Sequence, residues 1–186
     1  MTIEVREEQF ERAKLVLSNV PKGIERAMAS AINRAAQSGR TEAVKKVRER
    51  YIVKASTVRE PLKIERASSS SPIAILRAVG RVIPLSKFKI RPSKPTPGRS
   101  KPVTATVIKG KGGTIPKAFV ARMPTGHVGV YRRKGRPRLP IMELYGPSVP
   151  QMIGNEEVMR ALEEKAQQTL DERMEHEITR LLEGIK

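Results

Sequence analysis

Apolar residues recur at helical spacing near both ends of the chain, and in the middle they alternate with polar ones. In the stretch 6–18, Phe10, Ala13, Leu15 and Leu17 predict a short helix. Pro21 then stands where a new helix would start, because its missing N–H costs nothing in a first turn. Ile24, Met28, Ala31, Ala35, Ala43 and Val47 fall on one face of a long helix over about 22–50, with Arg26, Asn33, Arg34, Gln37 and Arg40 on the other. The alanines at 27, 29, 31, 35 and 36 make this helix small-sided, so a partner could pack close, and Gly39 suggests a kink. At the far end Asn155 is placed to cap a last helix, with Glu156 and Glu157 at its positive N-terminus. Val158, Ala161, Leu162, Ala166, Leu170, Met174, Ile178, Leu181 and Leu182 form its apolar stripe, and Glu163, Glu164, Gln167, Gln168, Asp171, Glu172 and Glu175 solvate the rest.

Between these helices the period changes. Ser56 is placed to cap a short helix ended by Pro61. Leu62–Arg66 and Ile73–Val79 are β-prone and separated by a serine run that reads as a turn. Residues 84–102 hold five prolines and six basic residues, which predicts an extended arm unable to pack a core. Val103–Lys109 alternates as a strand, and the following glycines read as a flexible turn. Ala118–Met123 and His127–Arg133 bracket Pro124, Thr125 and Gly126, a hairpin signal. Leu139–Leu144 is a further strand, broken by Gly146–Pro150. The order gives an α+β fold: N-terminal helices including one long one, a central basic antiparallel β region with a long extended loop, and a long C-terminal helix. One domain over 1–186 is expected, with an extended basic loop at about 84–113 that is unordered without partners.

Charge sharpens this picture. The 186 residues carry 37 Lys and Arg against 19 Asp and Glu, a formal net charge of +18. Between Glu65 and Glu143 stand 18 basic residues and no acidic one, whereas 143–186 holds 10 acidic and 5 basic residues. So concentrated a charge calls for a polyanion or an acidic neighbour. There is no cysteine, no signal-like apolar core in the first residues and no apolar run long enough for a bilayer, which sets the expectation of a protein made in a cytoplasm-like setting without membrane contact. Neither His127 nor His176 has a second ligand at metal spacing. Gly110–Gly113 lacks the phosphate-loop spacing and its Lys-Ser/Thr ending. We therefore expect no enzyme, metal or cofactor. The candidate contacts to DNA or an acidic partner are Lys87, Lys89, Arg91, Lys94, Arg99, Lys101, Lys109, Lys111, Arg132, Arg133, Lys134, Arg136 and Arg138. Phe88, Phe119 and Tyr131 are few aromatics for base stacking, so nucleic acid would be met at its backbone. Charge alone leaves a ribosomal- or nucleoid-type binder and a surface facing acidic subunits evenly matched.

The string GHVGVYRRKGRPRLPIMELYGPSVPQM at 126–152 tips that balance. It resembles the minor tail protein Z family of tailed phages and prophages, the tail completion or tail-to-head joining proteins. The resemblance rests on Gly126–Arg133, on Arg138-Leu139-Pro140-Ile141 and on Gly146-Pro147-Ser148-Val149-Pro150-Gln151-Met152, with Ala27–Ala36 and Ile115–Phe119 similar as well. It implies a structural virion protein in the neck, assembled in the host cytoplasm, that stabilises the head-proximal end of the tail and joins it to the head connector. Implied partners are other copies in a six-fold ring, a tail terminator or tail tube protein, head-completion or connector proteins, and the backbone of DNA in the channel. Leu139, Pro140, Ile141, Gly146, Pro147, Ser148, Val149 and Pro150 are the candidate assembly or shape motif. The glycine and prolines read either as a stiff bend or as a docking knob.

Overall fold

The structure, a computed structural model, describes residues 1–3, 5, 7–16, 22–96 and 102–183. Helix α1 spans Glu7–Val16, α2 Gly23–Arg50, α3 Ala55–Arg59, α4 Val149–Ile153 and α5 Glu156–Glu183. The helical periodicity at the two ends of the chain thus becomes two 28-residue helices. They lie antiparallel along each other: Arg50 pairs with Glu157 at 3.2 Å, the Thr169 hydroxyl donates to Ser38 Oγ at 2.9 Å, and the Ser30 hydroxyl donates to Glu177 at 2.7 Å.

Both seams repeat every four residues. In α2 the buried set includes Ala27, Ala31, Ala35, Gly39, Ala43 and Val47, and in α5 it includes Val158, Leu162, Ala166, Leu170, Met174 and Ile178. A period of four exceeds the 3.6 of the helix, so each stripe winds right-handed around its axis. The side chains of Leu181 and Leu182 fall outside the described residues. Gly39 does not break α2. A Cβ there would lie 3.2 Å from Ala166 Cβ and 3.4 Å from the Leu162 carbonyl oxygen, so the glycine admits close approach of α5.

The strands are β1 Thr2–Ile3, β2 Leu62–Glu65, β3 Ala74–Ala78, β4 Val82–Pro84, β5 Lys89–Arg91, β6 Val103–Ile108, β7 Lys111–Ile115, β8 Ala118–Arg122, β9 Val128–Arg133, β10 Ile141–Glu143 and β11 Tyr145–Ser148. They form small antiparallel sheets in the orders β1-β3-β2, β5-β6-β7, β8-β9-β10 and β11-β4. An α+β fold with long helices at both ends is therefore what the chain adopts. Its core has two parts. One joins the second half of α2, α4 and the start of α5 to the sheets, and the other joins the first half of α2 to Ala13 and the second half of α5.

Several local expectations are corrected. The N-cap of α3 is Lys54, without a side-chain bond, and Ser56 lies inside the helix. The Asn155 carbonyl accepts from the Met159 amide at 2.9 Å, but its buried Oδ1 takes no hydrogen bond. The segment 84–102 does pack a core. Leu85, Phe88 and Ile90 are buried between the basic residues, so alternation outweighs the prolines, which crowd together only from Pro92 onward. The glycines at 112 and 113 belong to β7 rather than to a flexible turn. Strands β5, β6 and β7 thereby occupy much of the expected 84–113 loop; residues 92–96 and 102 are without helix or strand, and 97–101 lie outside the described residues.

Candidate functional site

The basic window forms two surfaces. On the β5-β6-β7 sheet, Ile90 and Val103 point inward while Lys89 and Arg91 are exposed on the opposite face. Register sets Lys89 opposite Thr106 and Arg91 opposite Thr104, and Thr104 opposite Thr114. The outer face is thus a row of cations and threonine hydroxyls, a sheet face that suits polar contact. Lys87, Lys94, Lys109 and Lys111 are exposed around it, and Arg99 and Lys101 lie outside the described residues.

The second surface is the end of β9 and the turn to β10, which puts Arg132, Arg133, Lys134, Arg136 and Arg138 in the open within seven residues. The turn is pinned. The Arg133 guanidinium donates to the Arg138 carbonyl and lies over the Phe119 ring at 5.3 Å, while the Lys134 amide donates to the Pro140 carbonyl at 3.1 Å. Leu139 stands 67% exposed at its end.

Ion pairing is nearly absent from this window. Of its sixteen described Lys and Arg residues, Arg77 alone is in an ion pair, with Glu65 at 2.9 Å. Glu143, the carboxylate beside the hairpin, is engaged elsewhere. It meets His127 Nε2 at 2.7 Å and accepts from the Tyr145 hydroxyl at 3.0 Å. That hydrogen bond pushes the Tyr145 phenol up from its ordinary value, and burial foremost, then the charge of Glu143, pushes up Tyr131. Sequence reasoning missed this cluster because His127 and Glu143 are brought together only by the pairing of β9 with β10. The threonine row was readable, since Thr104 and Thr106 alternate with Val103, Ala105 and Val107.

The candidate motif divides. Gly146-Pro147-Ser148 is not a break but strand β11, paired with β4. A Cβ on Gly146 would lie 2.6 Å from Phe88 Cε2, so the strand runs directly over that ring. Ser148 caps α4: its Oγ accepts from the Gln151 amide, while Gln151 Oε1 accepts from the Ser148 amide at 2.8 Å. Pro150 sits in the first turn, and Val149 is buried with Met152 and Ile153. This half of the motif is a strand-to-helix joint set into the core. The other half is at the surface, with Leu139 and Pro140 exposed and Ile141 half-buried opposite Arg133.

Base stacking has little to stand on here. Phe88 and Tyr131 are buried, and Phe119 is half-covered beneath Arg133. Among the described residues no group of three or more His, Asp, Glu or Cys could hold a metal ion, and no helix is long and apolar enough to cross a membrane. No curated protein and no solved structure matches the chain. The sequence pattern of the prophage minor tail protein Z family, a family of structural tail components of the virion, matches residues 10–185. With nearly its whole length inside that match, the chain belongs to the prophage minor tail protein Z family.

Proposed function

We propose that this chain sits at the head-proximal end of the tail, completes the tube there and joins it to the head connector as one subunit of a six-fold ring. The observation that carries this reading is the unneutralised basic window: fifteen of its sixteen described cations have no carboxylate partner among the described residues. A surface so charged is stabilised by an acidic subunit, a tail or connector protein, or the DNA in a channel. The chain acts by contact and not by catalysis, and the pinned turn at 134–138 suits a fixed interface. Particles made without the protein should show complete tails and filled heads that fail to join. Normal yields of infectious particles without it would overturn the proposal.

A second reading is sequence-blind binding of nucleic acid, favoured by the same cations and by the Lys89, Arg91 and threonine face. It predicts duplex binding whose affinity falls steeply as salt rises, and no binding at low salt would remove it.

A further inference from the structure

We infer that the cationic turn after β9 docks on the acidic outer side of α5 in the next copy of the chain. The inference rests on the ring reading above and assigns its subunit contact. Helix α5 carries nine acidic and four basic residues. Some of these acids are already paired, such as Glu157 with Arg50 and Glu175 with Arg12. Glu156, Glu163 and Glu164 are exposed and, among the described residues, take part in no ion pair or hydrogen bond. Their spacing of seven and eight residues puts them on one side of the helix, about 12 Å long, facing away from buried Val158 and Leu162, with exposed Arg160 between them, so that this side carries three acids against one cation.

The turn offers the complement: Lys134, Arg136 and Arg138, exposed, without carboxylate partners, and held in place by the Arg133 and Lys134 hydrogen bonds. Acid strip and basic turn do not pair within one chain. They are different surfaces, so joining them between copies is a head-to-tail contact, the class that closes into rings. Leu139 distinguishes a protein partner from DNA. A leucine two-thirds exposed amid cations can bury itself on a protein surface, whereas a phosphate backbone gives it nothing apolar to cover it.

The test uses purified full-length protein at low salt, with assembly followed by sedimentation velocity and duplex binding measured in parallel. Reversal by E163K/E164K, or by R136E/R138E, should weaken assembly by about tenfold or more, and combining the two should restore most of the loss. Leu139→Ala should weaken assembly while leaving duplex binding unchanged. Carbodiimide treatment of mixed light- and heavy-isotope copies should join Lys134 to Glu163 or Glu164 across copies. Matching melting curves identify variants that remain folded. Reversals without effect, or a combined variant no better than either alone, overturn this contact while leaving the ring standing. Wild-type protein that stays monomeric overturns the ring reading as well. Loss of duplex binding in R136E/R138E with normal assembly assigns the turn to DNA and overturns the contact.

Discussion

Replacing Gly146 by alanine tests whether the Gly-Pro-Ser segment serves the interior. The added Cβ would sit 2.6 Å from Phe88 Cε2, 3.0 Å from Cζ and 3.2 Å from Cδ2. Carbon atoms in contact stand about 3.5–4.0 Å apart, so the ring must retreat by roughly 1 Å. It has little room, because Phe88 is only 6% exposed and belongs to the core cluster with Leu85, Ile90 and Val130. The φ of Gly146 lies outside the left-handed region, so the backbone accepts alanine and the whole penalty comes from the ring. Overpacking of this kind costs about 1–3 kcal/mol. In a chain of this size each kcal/mol lowers Tm by about 2–4 °C, so Gly146→Ala should melt roughly 4–8 °C lower for a cost of about 2 kcal/mol. The control is Phe88→Leu, which removes Cε2 and Cζ, the two nearest of the clashing atoms. The double variant should be more stable than the sum of the two losses predicts, by about 1 kcal/mol in a double-mutant cycle from urea unfolding. Gly146→Ala melting within 1 °C of wild type (about 0.5 kcal/mol or less), or strict additivity with Phe88→Leu, would refute the reasoning.

Three further outcomes follow from the same contacts. Gly39→Leu drives a side chain into the α2–α5 seam, where even a Cβ meets Ala166 at 3.2 Å, and should cost about 2–3 kcal/mol in urea unfolding. Ser148→Ala removes the cap of α4 and should cost about 1 kcal/mol, with Ser148→Thr recovering most of it in the same assay. Because its hydrogen bond to Glu143 raises the Tyr145 phenol, the folded state favours the neutral ring. That stabilisation is fully present below about pH 10 and is lost as pH rises through the raised value. An ultraviolet titration should show two phenols, Tyr131 and Tyr145, ionising late, and Tyr145→Phe should remove one of them.

The long helices were legible because their apolar positions repeat over seven turns, and the β8–β9 hairpin because Pro124, Thr125 and Gly126 stand between two alternating runs. Their close packing was latent in the same letters, since both stripes step by four residues and one is built from alanine, whereas their antiparallel direction is shown only by the contacts. Misreading of 84–102 came from giving composition more weight than position. Lys89 and Arg91 are the outward members of a strand whose inward member is Ile90, and prolines at 92 and 95 say nothing about residues 85–90. Gly146–Pro150 looked like a break because proline in a strand is unusual, yet Pro147 is tolerated in a two-stranded pairing and Pro150 in a first helical turn. The charge pattern exposed the candidate surface. It could not reveal which cations lack partners, because the meeting of His127 with Glu143, sixteen residues on, depends on the pairing of β9 with β10.

Position in the particle is the most direct measure of the account. A small tag carried on the C-terminus and imaged in purified virions by electron microscopy should mark a single ring at the head-proximal end of the tail, between tube and connector. Label at the distal tip, or spread along the whole tube, would contradict it.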